Sequence, residues 1–206
     1  MSNPRIAAAE SPRDYVGAKM GMWVFLFTEL LLFGGMFLLY SVYRSKYPVD
    51  FHKAAADLDL FLGTANTAIL LTSSLTMALS IRAMKDSRRR RSSLMQLLTI
   101  CLGLLFLVNK YLEWSSHIHH GIYPDSPVVL TMRRGEIIFF SLYFVMTGIH
   151  GLHVLVGVGA ITMTLLFTGR EKITPLDFVK LENTGLYWHF VDIIWIFLFP
   201  LFYLIT

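Results

Sequence analysis

Residues 136–168 read EIIFFSLYFVMTGIHGLHVLVGVGAITMTLLFT, a run of 33 residues whose one acidic side chain is Glu136 and which contains no Lys or Arg. As an α-helix at 1.5 Å per residue it would measure roughly 50 Å. The hydrocarbon core of a bilayer is ~30 Å thick and takes about 20 apolar residues to cross. The run is therefore too short for two crossings and a turn, and too long for one upright helix. It predicts a single spanning helix that tilts strongly or projects its first turns beyond the hydrocarbon. Its apolar residues are continuous, unlike the ~10-residue alternating segments of outer-membrane barrels.

Four more stretches reach spanning length, at about 20–43, 60–81, 94–114 and 186–206. The composition agrees. Of 206 residues 55% are hydrophobic and 16% charged, against ~45–50% and ~25% in soluble domains, and the mean hydropathy is +0.57. That excludes a water-soluble globule, and the apolar mass excludes a disordered chain. The fold class expected is all-α, a polytopic bundle of five transmembrane helices over 20–206 preceded by a tail over 1–19. The sequence has no strand pattern, internal repeat or linker marking a second domain. The tail has no apolar h-region, so no cleaved signal peptide is expected.

The net charge is +4, but where the charges lie matters more than their sum. Arg5, Arg13, Lys19, Arg82, Lys85, Arg88–Arg91, Arg170, Lys172 and Lys180 fall on one side of the expected spans, twelve in all. Arg44, Lys46, Lys53, Arg133 and Arg134, five in all, fall on the other. Basic residues collect on the cytoplasmic side, which predicts a cytoplasmic N-terminus and an outside C-terminus. The Arg88–Arg91 run then reads as a topology anchor among anionic headgroups, and no nucleic-acid partner is expected. Trp23, Trp114 and Trp188 lie near expected span ends, where amphipathic rings favour the interface.

Ionisable groups inside spans are expensive and are functional suspects by default. Glu29 lies about nine residues into the first span. His150 and His153 share a face of the fourth, as His189 and Asp192 do in the fifth, each pair at i,i+3. Lys110 and Glu113 share a face late in the third span, where snorkelling would carry their charges to the interface. Two readings compete. In one, Glu29, His153, His189 and Asp192 satisfy one another between packed helices, and Gly34, Gly35, Gly148, Gly151, Gly157 and Gly159 let backbones approach. In the other they form a proton relay or a metal or haem site, which would need a definite His-rich ligand set.

The second span carries Thr64, Asn66, Thr67, Thr72, Ser73, Ser74, Thr76 and Ser80, too polar for lipid on every side. His117, His119 and His120 read as a solvated interfacial loop with a metal tract as the alternative. Cys101 has no partner for a disulfide. No phosphate-binding loop, nucleophile elbow, CxxC or HExxH motif occurs.

Several of these segments resemble those of one family. Residues 187–195, YWHFVDIIW, look like the WHFVD-[IV]-[IV]-W signature in the last helix of subunit III of haem–copper terminal oxidases. Residues 147–154, TGIHGLHV, resemble its TG-x-HGLHV helix, and residues 20–29, MGMWVFLFTE, its membrane-embedded glutamate segment. Residues 66–74, NTAILLTSS, match its NT-x-[IL]LL-x-S-[SG] helix, and Glu113-Trp114 sits where an E-[YW] pair is usual, ahead of Gly121-Ile122-Tyr123. The motifs stand in family order over about 18–206. The chain is similar to the five-helix bacterial form, which lacks the first two helices of the seven-helix form. Ile149 departs from the Phe usual in longer members.

The resemblance implies a non-catalytic subunit in a bacterial cytoplasmic membrane, with no metal or cofactor of its own. The haems and copper would reside in subunits I and II, with subunit I as the main contact. Phospholipid would lie in a cleft between helices, and the chain would support sustained, proton-coupled reduction of dioxygen to water. The residues carrying motif identities are Glu29, Asn66, Glu113, His150, His153, Trp188, His189 and Asp192, with inter-helix, lipid-cleft or proton-related roles implied. The electron donor, cytochrome c or a quinol, would bind other subunits. A partner of a nitric oxide reductase, a stand-alone proton-coupled transporter and an intramembrane metalloenzyme are the alternatives. Inverted repeats or broken helices would favour the transporter, and the sequence has neither.

Overall fold

The computed structural model describes residues 15–119, 121–123, 126–175 and 177–205. Seven helices occur among them: α1 Tyr15–Lys46, α2 Pro48–Ala55, α3 Leu60–Lys85, α4 Arg89–His119, α5 Pro127–Leu130, α6 Arg134–Gly169 and α7 Val179–Tyr203. Five of these, α1, α3, α4, α6 and α7, are long and apolar enough to cross a membrane. No strand forms among the described residues beyond an isolated bridge between Thr174 and Asp177.

The helices overrun the apolar runs. Polar residues at both ends continue the backbone hydrogen-bond ladder into the headgroup zone, so α1 is already helical at Tyr15, α4 continues to His119 and α7 begins at Val179. The long run around His150 is one unbroken helix of 36 residues. The short helices α2 and α5 were not foreseen. Each opens on a proline at its first turn, where the missing N–H costs nothing. In α2, Phe51, Ala54 and Ala55 are buried, and Lys53 meets Glu136 of α6 at 2.8 Å.

α3 and α4 form an antiparallel hairpin, and the polar face of α3 is explained by its partner. Asn109 donates to Asn66 Oδ1 at 3.0 Å, Thr76 meets Thr99 at 2.8 Å, and Ser80 meets Ser92 at 3.1 Å. These rungs replace the hydrophobic drive that lipid cannot supply between helices. α6 and α7 pack against this hairpin. The turn between α3 and α4 closes with Ser87 at φ 58°, and Arg88 N–H donates to Ala83 O at 2.8 Å. A left-handed conformation disfavours any residue with a Cβ. Ser87→Gly is expected to stabilise the protein by about 0.5 kcal/mol, read as a higher thermal midpoint in detergent. A lower midpoint would mean that the serine side chain holds the turn.

α1 is the least buried of the five long helices and α7 the most. The buried residues of α1 are Leu26, Phe33 and Tyr40, seven apart, a single narrow seam laid against α6 and α7. The Tyr40 hydroxyl donates to Leu201 O near the end of α7. At the other end Glu182 of α7 takes Lys19 of α1 at 2.8 Å and Lys85 of α3 at 3.2 Å.

Candidate functional site

Several of the intramembrane polar residues meet hydrogen-bond partners on neighbouring helices, and among the described residues His150 and Asp192 do not. Glu29 of α1 and His153 of α6 meet at 3.0 Å between Oε2 and Nε2. His153 Nδ1 lies 2.8 Å from Ile149 O. A carbonyl only accepts, so Nδ1 carries a proton. A hydrogen bond between Nε2 and the Glu29 carboxyl then needs a proton carried by one of the two. Phe33 and Tyr187 flank the imidazole, with centroids at 5.4 and 6.4 Å, and the Tyr187 hydroxyl donates to His153 O at 3.1 Å.

Lys110 and Glu113 do not snorkel. Because α4 runs past the expected span end, both lie two turns or so inside it, at 5% and 2% exposure. Lys110 Nζ donates to Glu113 Oε2 at 3.0 Å, to the Tyr143 hydroxyl at 3.0 Å and to the Tyr203 hydroxyl at 2.7 Å. Tyr143 donates to Glu113 Oε1 at 2.7 Å, and Tyr203 donates to the same oxygen. All three ammonium protons and both carboxylate oxygens are engaged, which joins α4, α6 and α7. Tyr143 and Tyr203 were missed in the sequence. The i,i+3 spacing marked the ion pair but not the phenols, which tertiary packing brings in.

Trp188 is also not at the interface. With α7 starting at Val179 it lies about two and a half turns in, and it is fully buried. Its indole fits between Gly103 of α4 and Gly157 of α6, where a Cβ would come within 2.8 and 2.7 Å of ring carbons. Its Nε1 donates to Ser73 Oγ of α3 at 3.1 Å. Of the glycines expected to allow close approach, Gly157 does so and Gly148 faces Trp114 at 3.1 Å. Cβ atoms at Gly34, Gly35, Gly151 and Gly159 would meet nothing within 4 Å, because those faces point out of the bundle.

The expected mutual pairing of Glu29, His153, His189 and Asp192 holds only for the first two. His189 Nδ1 instead meets Ser74 Oγ at 2.7 Å. Asp192, 3% exposed, lies beside the same serine, yet neither carboxylate oxygen has a well-formed hydrogen bond among the described residues. His150, 1% exposed, is held by rings, Phe106 at 5.6 Å and Trp195 at 5.3 Å. Neither of its nitrogens has a hydrogen-bond partner among the described residues. Asn66 uses its carbonyl toward Asn109 and leaves its amide unpaired among them. His117 corrects the loop reading: it belongs to α4, is buried, and its Nδ1 lies 2.9 Å from Glu113 O. His119 ends α4 and is exposed; His120 lies outside the described residues. Among those residues no three His, Cys, Asp or Glu side chains converge as a metal site would require.

A hollow of about 500 Å³ opens between α1 and α7, walled by Trp23, Phe27 and Leu30 on one side and Phe190, Ile193 and Phe197 on the other. His189 is its polar lining residue. The arrangement as a whole joins α1 to α6 at Glu29–His153 and α4 to α6 and α7 around Lys110 and Glu113.

Comparison with known proteins agrees with this geometry. The chain matches the family described as "Cytochrome c oxidase subunit III" over residues 8–206. It is 32% identical to the "Probable quinol oxidase subunit 3" of Staphylococcus haemolyticus, over 91% of this chain and 88% of that protein. It is 31% identical to the "Cytochrome c oxidase subunit 3" of Thermostichus vulcanus, over 91% and 87%. With the "Probable cytochrome c oxidase subunit 3" of Nocardia farcinica the identity is 29% over 91% and 87%. A family match spanning nearly the whole chain, carried on the same five long helices, establishes that the chain belongs to the cytochrome c oxidase subunit III family.

Proposed function

We propose that the chain is the non-catalytic third subunit of a respiratory haem–copper oxidase in a bacterial cytoplasmic membrane. The haems and copper lie in partner subunits I and II, and this bundle packs chiefly against subunit I. Residues 20–206 form the membrane domain, with the N-terminus in the cytoplasm and the C-terminus outside, as the twelve-to-five basic imbalance favours. Phospholipid acyl chains occupy the hollow between α1 and α7, and the bundle keeps the catalytic subunit active through many proton-coupled turnovers of dioxygen to water.

The observation that carries this reading is how the buried polar groups are spent. Glu29, Glu113, Lys110, Trp188 and His189 are each engaged by a neighbouring helix, which favours architecture over a redox centre for these groups. The wide apolar exterior of α1 suits lipid or a partner helix.

Affinity purification of the tagged chain from its own membranes tests the proposal. The expected product contains haem-bearing partners that consume oxygen. A lone chain that is coloured, or that turns over unaided, would overturn it. Within the complex, Glu29→Gln and Asp192→Asn are expected to leave the haem absorption spectrum unchanged. Both should alter the rate at which activity decays during turnover. The Gln amide can still donate to neutral His153 Nε2, so Glu29→Gln should cost at most about 1 kcal/mol of stability. Loss of a haem band in either variant would place the redox chemistry in this chain.

A further inference from the structure

We propose that the hollow between the facing ends of α3 and α4 binds the phosphodiester headgroup of an anionic phospholipid. It lies on a different part of the bundle from the hollow between α1 and α7. The inference rests on the chain spanning a membrane and is independent of its partners.

The hollow, about 230 Å³, is lined by Arg82, Arg88, Arg91 and Asp86, with Leu79, Ala83 and Met95 as its floor. Three guanidiniums against one carboxylate leave the lining net positive. Arg82, Arg88 and Arg91 are exposed, and none is ion-paired among the described residues. Arg89 is the contrast within the same run. It turns the other way, donating to Thr168 O and to Glu171 Oε1, the latter at 2.8 Å.

Two physical features suit the hollow to an anion. First, α4 opens with arginines and has no acidic residue in its first turn. Helix N-termini carry partial positive charge and favour acidic side chains. Cations crowded there violate that rule, and an external anion relieves the conflict. Second, the turn between α3 and α4 brings Arg88 and Arg91 of one arm and Arg82 of the other to the same hollow. Guanidiniums present paired donors that match phosphate oxygens. Below them the wall turns apolar, from Leu79 to Leu75 one turn deeper, both exposed. A charged rim over exposed apolar side chains fits a lipid, whose phosphate meets the arginines while an acyl chain follows α3.

The test is native mass spectrometry of the complex purified in mild detergent. The complex is reconstituted with phosphatidylcholine nanodiscs, with or without phosphatidylglycerol. Wild type should retain phosphatidylglycerol specifically. Arg82→Gln/Arg88→Gln/Arg91→Gln should lower its occupancy by about tenfold or more. Arg90→Gln/Arg170→Gln/Lys172→Gln, which removes equal charge from the same end of the bundle, should change it less than about twofold. Replacing the three lining arginines by lysine keeps the charge that sets topology and should give intermediate retention, because the paired donor geometry is lost. Equal losses in the two glutamine variants, or full retention in the lining variant, would overturn the site. Displacement by inorganic phosphate as effective as by phosphatidylglycerol would overturn the lipid assignment. Haem co-purification is read in the same samples, so failure here is distinguishable from failure of the subunit reading.

Discussion

Glu113→Gln is expected to destabilise the bundle by about 3–5 kcal/mol, the cost of stranding one partner of a buried ion pair. Among the described residues Glu113 supplies the only carboxylate bonded to Lys110, and its Oε1 also accepts from Tyr143 and Tyr203. The amide keeps the shape but carries no charge, and its nitrogen cannot accept. Lys110 would then hold an ammonium group among Tyr143, Trp195 and Tyr203, whose rings lie 4.8 to 5.3 Å away. Those rings offer some cation–π attraction, too little to replace an anion. Lys110→Met should be comparably harmful, since it removes three hydrogen bonds and leaves a buried carboxylate. The double variant should be milder than the sum, with a coupling of about 0.5–3 kcal/mol. Thermal denaturation of the purified complex, followed by the release of this subunit, measures all three. Strict additivity would show that the two side chains do not act as a pair.

Trp188→Ala should cost about 3–5 kcal/mol by a different mechanism. The indole occupies space that two glycines, Gly103 and Gly157, leave open on separate helices. Its removal leaves a void that neither helix can close without moving its whole backbone. In a bilayer the loss is one of packing, because lipid is as apolar as the site it would vacate. The reverse experiment fills the same space. Gly157→Ala sets a Cβ at 2.7 Å from the ring and should cost about 1–3 kcal/mol through overpacking. Trp188→Phe should fall between, losing the bond to Ser73 while keeping part of the ring volume. If Gly157→Ala proves neutral, the contact is looser than described.

The number and type of the long helices were legible because a bilayer permits so few solutions. A backbone in hydrocarbon must satisfy itself, and a long apolar run does that only as a helix. Their ends were less legible, since a helix does not stop where its side chains become polar. An apolar run starting at residue 186 puts Trp188 in an aromatic belt, whereas α7 starts at Val179 and buries it. A run stopping at residue 114 puts Lys110 and Glu113 at the interface, whereas α4 continues to His119 and encloses them. Glu29 and His153 were recognisable as costly intramembrane groups on separate helices, and they do meet. His189 and Asp192 carried the same signal and do not join them. Which face of one helix turns toward which face of another depends on packing that periodicity does not encode.

The seam on α1 bears on how the polypeptide is made. Leu26, Phe33, Tyr40 and the Glu29–His153 pair hold α1 against α6 and α7, which leave the ribosome well after it. It must therefore remain in the insertion machinery or the surrounding lipid while more than a hundred further residues are synthesised, with a glutamate still lacking its imidazole. Packing of α1 is thereby deferred until α6 and α7 have been made, and a product ending before α6 would leave Glu29 without this partner.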